Sequence, residues 1–189
     1  MTMKKASSAS GRAGSTSAQW MVGSMLFLVL GCVALPEGIT PVQDFELQRY
    51  LGRWYEIARL DHSFERGLVN VTAEYTLEED GRVRVINKGY RPAESAWETV
   101  EGIAAFVGAA DVGRLKVSFF GPFYGSYIVF ELDHEDYQYA FVAGPDKSYL
   151  WLLSRTPLIS PELRQRFIDR AAQLGFDAQS LIFVSQAED

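Results

Sequence analysis

From residue 51 to residue 154 the chain is a run of short segments in which apolar and polar side chains alternate, each ended by Gly, Pro, Asp or Glu-rich turns. Alternation with period two marks half-buried strands, and a spacing of about ten residues between turn signals predicts a sandwich or barrel. Residues 51–60 form the first such segment. "VNVTAEYTLEEDGRVRVINKGY" reads as a hairpin: Val71, Ala73, Tyr75 and Leu77 alternate, "EEDG" turns, and Val83 and Val85 alternate back. "WETVEGIAAFVG", "GRLKVSFF", "SYIVFELD", "YQYAFVAGPD" and "SYLWLLSR" follow, giving eight strands. Eight consecutive antiparallel strands remove their exposed edges by closing on themselves. The expected fold is therefore all-β, an eight-stranded up-and-down barrel.

A barrel of eight is either filled by side chains or holds one small ligand. Ala73, Gly89, Gly102 and Ala104 are small where inward positions are expected, while an aromatic content of 13% supplies large rings for a wall or plug. That mixture predicts a cavity with one closed end. After the eighth strand, "SPELRQRFIDRAAQLGF" predicts a helix capped by Ser160, with Pro161 in its first turn and Gly175 as its stop. Leu163, Phe167, Ala171 and Leu174 make one apolar stripe, expected to pack outside the sheet. "LIFVSQ" is a short final strand.

The N-terminal part is of another kind. Residues 1–31 carry Lys4, Lys5 and Arg12 and no acids, then an apolar run from Trp20 that is shorter than the ~20 residues a bilayer span needs. A basic flank, a short apolar run and a small residue predict a signal peptide. Cys32, the single cysteine, has no intramolecular disulfide partner. Its place after "VLG" resembles the lipobox of bacterial lipoproteins, which implies acylation of its sulfur. Val33 in place of Asp then implies the outer membrane, facing the periplasm. Residues 32–43 read as a tether with two prolines, and residues 44–189 as the folded domain. Without residues 1–31 the chain holds 15 basic and 24 acidic residues, a net charge of −9. Such a body is repelled by nucleic acid and by anionic membrane, so membrane attachment falls to Cys32.

"GRWYEIAR" (52–59) matches the Gly-x-Trp signature that opens the first strand of lipocalins, and "GPDKSYLWLLSRTP" (144–157) resembles the later lipocalin strand that ends in arginine. "DHSFERGL", "INKGY" and "KVSFFGPFYG" are similar to the bacterial outer-membrane branch of that family, with animal apolipoprotein D more distant. The similarity runs over residues 44–186. It implies a calyx for hydrophobic molecules, here fatty acids or lysophospholipids. It also implies that Trp54 and Arg155 pack at the closed end, a guanidinium over an indole face worth about 1–2 kcal/mol when desolvated. Gly52 and Glu56 are assigned to the same floor, with Arg155 expected to compensate the Glu56 charge.

Strand parity then nominates the wall. With Arg155 inward, Leu153, Trp151 and Tyr149 are inward too; with Trp54 inward, so are Glu56 and Ala58, leaving Tyr55 and Ile57 for the helix. Trp151, Tyr75 and Tyr139 are the leading ligand contacts, joined by Phe106, Phe119, Tyr127 and Tyr149; each also fits a purely structural core role. "SFFGPFYG" is either a hairpin turn with flanking aromatics or an exposed rim that admits ligand, touches membrane or pairs with a second copy as a homodimer. No catalytic or metal site and no cofactor are expected: consecutive Asp61, His62 and Ser63 diverge on an extended chain, two distant histidines make no metal centre, and no nucleophile elbow or phosphate loop is present. Three functions follow: a lipid-binding or transport module, an envelope lipoprotein with a filled barrel, and a calyx enzyme acting on a bound lipid.

Overall fold

The computed structural model describes residues 33–186. The expected signal peptide and Cys32 lie outside them. A short helix α1 (Leu47–Tyr50) precedes eight barrel strands: β1 (Gly52–Arg59), β2 (Val69–Leu77), β3 (Val83–Arg91), β4 (Ala96–Phe106), β5 (Arg114–Phe120), β6 (Phe123–Leu132), β7 (Tyr139–Ala143) and β8 (Leu150–Ser154). Helix α2 (Pro161–Gln173) and strand β9 (Ile182–Phe183) follow. Each barrel strand pairs antiparallel with the next, and β1 pairs with both β2 and β8, so the sheet closes. The eight-stranded up-and-down barrel is as the alternation requires. Residues 33–186 supply its strands, floor and covering helix among themselves.

Two apolar clusters split along the sheet. The inner one gathers Trp54, Tyr75, Val85, Leu115 and Val142. The outer one gathers Tyr55, Ile57, Phe141 and Leu152 under Phe167 and Ala171 of α2. Ser160 caps α2 by accepting from the Leu163 backbone N–H at 3.2 Å, and Gly175, at φ +77°, ends it in the left-handed conformation a side chain resists. The Phe167 ring meets Phe141 edge-on at 4.9 Å. Burial of this stripe on the sheet holds the helix, since a segment of this length is marginal alone in water.

The ends of the barrel differ. β1, β3, β5 and β7 run away from α1, so the end carrying α1 and the connections 78–82, 107–113 and 133–138 is the floor. The other end is a mouth framed by 60–68, 92–95, 121–122 and 144–149. At the floor, Tyr137 Oη accepts from the Glu46 backbone N–H at 2.9 Å, and Phe45 N–H donates to the Asp111 carbonyl at 2.8 Å. These bonds tie α1 across the barrel as a plug.

Parity breaks once where it matters. Pairing of β1 with β8 shifts between Glu56 and Ala58, a β-bulge that adds one residue on β1. Ile57 and Ala58 both reach the outer cluster in consequence, and Arg59 turns inward with 1% of its surface exposed. The inward assignment of Ala58 is thereby corrected. Tyr55 and Ile57 do face outward under α2, as expected.

Candidate functional site

Inside the barrel is a cavity of about 680 Å³. Its wall is built from the small or branched residues Val71, Ala73, Val85, Gly89, Ala104 and Val117, with larger rings above and below. Leu68 crowds Gly89, its Cδ1 lying 3.0 Å from where a Cβ would stand, whereas inward-facing Ala73 and Ala104 leave room, as expected. Gly102 does not: a Cβ there would lie 2.6 Å from Phe119 Cδ1, so the Phe119 ring occupies the space. Phe119 itself lines the cavity.

The floor is a stack. Arg155 lies over the Trp54 indole at 3.9 Å, and Trp54, fully buried, packs on Tyr50 at 4.8 Å and donates from Nε1 to the Tyr50 carbonyl at 2.7 Å. Arg155 donates to the carbonyls of Arg53 and Arg49, both at 2.7 Å, and of Tyr137 at 3.3 Å. Gly52, at φ +87°, brings β1 beside the Arg155 guanidinium, 3.7 Å from where a Cβ would stand. Trp54, Gly52 and Arg155 are thus together at the closed end. Above them Tyr127 Oη bonds to Tyr50 Oη at 2.6 Å and to Tyr75 Oη at 2.8 Å, a chain of three hydroxyls. Burial, first of all, raises all three phenol pKa values, so the chain stays neutral.

Glu56 is inward and buried, with 3% exposed, but Arg155 is not its partner. The bulge puts Arg59 on the same face, and its Nη1 meets Glu56 Oε1 at 2.7 Å. Arg59 Nη2 donates to the carbonyls of Glu65 at 2.7 Å and Leu68 at 3.3 Å, both in the mouth connection 60–68. Glu65 accepts from Trp151 Nε1 at 3.1 Å. His62 Nε2 stands 4.0 Å from the same carboxylate, its ring stacked between Phe64 at 5.1 Å and Tyr149 at 4.9 Å. The polar group is therefore at the neck of the cavity, not at its floor, and Glu56 and Glu65 line the cavity there. Burial, then the neighbouring Glu65, raises the Glu56 pKa; burial also raises that of Glu65. Two buried acids share one arginine, and both are pushed toward their neutral forms because a second uncompensated buried charge costs several kcal/mol. Burial, with the Arg59 charge adding, lowers the His62 pKa to about 4, so that ring is neutral at pH 7.

The nominated wall divides accordingly. Trp151, Tyr75, Tyr127, Tyr149 and Phe119 line the cavity. Tyr139 does not: it pairs with Ser154, shares the outer face with Phe141, and lies under the Arg166 guanidinium of α2 at 5.5 Å. The inward position on β7 belongs instead to Ala140, opposite Leu153. Phe106 is inward but below the cavity, packed edge-on against Phe45 at 6.1 Å as part of the floor. Arg59, Glu65 and His62 were not legible as a site. Glu56 and Arg59 are three apart, on opposite faces of a regular strand, and nothing in "YEIAR" marks the bulge that unites them. At the mouth, Phe120 and Phe123 pair across the β5–β6 hairpin and are 75% and 68% exposed. Among the described residues, no group of three His, Cys, Asp or Glu side chains is placed to hold a metal ion, and no helix is long and apolar enough to cross a membrane.

Known proteins share this arrangement. The tobacco hornworm insecticyanin structure superposes with a TM-score of 0.65 at 24% identity, covering 82% of this chain and 88% of that one. The cockroach allergen Per a 4 superposes with a TM-score of 0.61 at 22% identity, over 78% and 92%. In sequence, the outer membrane lipoprotein Blc of Vibrio cholerae is 55% identical over 167 residues, covering 85% of this chain and 98% of its own length. Blc of Escherichia coli K12 is 54% identical over 162 residues, covering 85% and 91%. Mouse apolipoprotein D is 31% identical over 155 residues, covering 78% and 80%. Residues 45–186 match the lipocalin-like domain family, and with the closed barrel, the plugged floor and the Trp54–Arg155 stack they show that the chain belongs to the lipocalins.

Proposed function

We propose that this lipocalin binds amphipathic lipids, fatty acids or lysophospholipids, for storage or transport at the periplasmic face of the outer membrane, anchored through acylated Cys32. The observation that carries the reading is the cavity: about 680 Å³, apolar for most of its wall, closed at the floor and polar at the neck. That volume is in the range of small-molecule sites, about 300–1,000 Å³. An acyl chain entering it gains about 0.8 kcal/mol per buried methylene. The Glu56–Arg59–Glu65 group then stands where a polar head joins the chain. An open cavity of this size speaks against a barrel filled by its own side chains. The anchor is supported by the lipobox-like "VLGC" and by the outer membrane lipoproteins among the relatives.

Trp151 is the wall residue to alter, because it lines the cavity and touches the neck through Glu65. Trp151→Asp is expected to weaken uptake of a fluorescent fatty acid at least tenfold while the fold, followed by circular dichroism, persists. Unchanged uptake in a folded Trp151→Asp protein would remove the cavity from the account.

A further inference from the structure

The cavity wall is apolar over most of its height, yet two polar features lie deep inside it, and the head-group contacts proposed at the neck use neither. The first is Asn87, in the "INKGY" segment of β3. Asn87 shares the inward face of β3 with Val85, pairs with Ala73 of β2, and lines the cavity. It stands four residues, about 13 Å along the strand, below the mouth end of β3 at Arg91. Its Oδ1 is buried and meets no hydrogen-bond partner among the described residues. Buried carbonyl oxygens are nearly always bonded, so an unpaired one on a cavity wall calls for a partner from inside the cavity. The amide turns freely enough about its last torsion to present either end to a ligand.

The second, independent feature is the hydroxyl chain of Tyr50, Tyr127 and Tyr75, all of which line the cavity at its closed end. Three hydroxyl protons serve two bonds, Tyr50 to Tyr127 at 2.6 Å and Tyr127 to Tyr75 at 2.8 Å. Whichever way those bonds point, one O–H is left to donate. Tyr75 pairs with Val85, one inward position below Asn87 and about 7 Å along the strand. An unpaired acceptor and a spare donor thus stand near each other in the deep half of the cavity. No charged side chain accompanies them. The charged residues that line the cavity, Glu56, Glu65, Lys88 and Glu98, belong to the neck and mouth, and Arg155 is engaged by the Trp54 face and backbone carbonyls.

We infer that the deep half of the cavity reads a hydroxyl on the acyl chain itself, so that the preferred ligand class is a fatty acyl chain hydroxylated in mid-chain, with its head at the neck. The inference rests on the lipid-binding reading above. A hydroxyl both donates and accepts. It can give its proton to Asn87 Oδ1 and take one from the tyrosine chain. A carboxylate only accepts, and it would bring a charge to a region that no cation faces, so the ligand does not enter head first. A plain methylene at this depth leaves the Asn87 acceptor unpaired.

The test uses the chain from residue 32 with Cys32→Ser, which contains the whole barrel, its floor and its covering helix. Three ligands of one chain length compete with a fluorescent fatty acid: stearate, stearate hydroxylated at carbon twelve, and stearate hydroxylated beside its carboxylate. The mid-chain hydroxyl should tighten binding about tenfold over stearate, the effect of one or two net hydrogen bonds. The hydroxyl beside the carboxylate stays at the neck and should give no such gain. Asn87→Leu, with its fold followed by circular dichroism, should bring the ratio between mid-chain hydroxystearate and stearate to within about twofold. Equal affinity of those two ligands for the unsubstituted protein, the same gain from a hydroxyl beside the carboxylate, or a gain that survives Asn87→Leu would overturn the inference. Stearate itself keeps the two conclusions apart. Stearate bound without any preference for the hydroxylated form leaves lipid binding standing and removes the inference, whereas no uptake of any of the three removes both.

Discussion

The two ends of the calyx each hold an arginine, half-buried Arg155 at the floor and buried Arg59 at the neck, and they treat its charge in opposite ways. At the floor, Arg155 is held by three backbone carbonyls and the Trp54 face. None of those partners titrates. At the neck, Arg59 is held by Glu56 and by carbonyls of the mouth connection, with Glu65 and His62 beside it. Here several partners titrate. The difference teaches that the floor is a plug whose strength is indifferent to pH, whereas the neck is a responsive wall that faces the ligand and braces the loop at the entrance.

The largest effects should come from emptying either end. Trp54→Ala removes a fully buried ring and the surface on which Arg155 rests, and should cost about 3–5 kcal/mol in urea denaturation. Because its neighbours do not titrate, that loss should be the same at pH 5 and pH 8. Arg59→Met should also cost about 3–5 kcal/mol at pH 8, where it leaves two acids without their cation. It should cost less at pH 5, because the raised pKa values of Glu56 and Glu65 favour their neutral forms as the pH falls. Equal losses at the two pH values would break the contrast between floor and neck.

A third effect sharpens the contrast through His62. Its pKa falls from 6.5 in the unfolded chain to about 4 in the fold. Between those values the unfolded chain binds a proton that the folded chain refuses, so stability falls as the pH falls from 6.5 to 4, by up to about 3 kcal/mol. The raised pKa values of Glu56 and Glu65 act with the opposite sign, adding stability at low pH that is lost as pH rises through their folded values. His62→Phe keeps the stack on Phe64 and Tyr149 and should abolish the first slope, leaving the second; denaturation midpoints across pH 4–8 would show it. The smallest change tests packing alone. Gly102→Ala drives a methyl into Phe119 and should cost about 1–3 kcal/mol with no pH dependence, read from the thermal midpoint.

Most of the barrel could be read from residue order because period-two alternation is written strand by strand. The eight strands, the cap at Ser160 and the stop at Gly175 all follow from local chemistry. The floor was legible through resemblance, since Trp54 and Arg155 sit in the two segments, 52–59 and 144–157, that resemble lipocalin motifs. The neck was not, because it depends on one inserted residue. The bulge at Ile57 and Ala58 costs no recognisable side chain, yet it turns Arg59 inward, sends Ala58 out and gives Glu56 a partner other than Arg155. Tyr139 was misplaced by counting along its own short strand, where the Ala140–Leu153 pairing decides the face. Register across strands settles such questions, and a single strand does not carry it.

The account stands most directly on the cavity being a lipid site. Native mass spectrometry of the chain from residue 32 with Cys32→Ser, mixed with a panel of fatty acids and lysophospholipids, measures this without a label. It should show one bound lipid per chain, saturable, and reduced at least tenfold by Trp151→Asp. A spectrum of unliganded protein across the whole panel would contradict it.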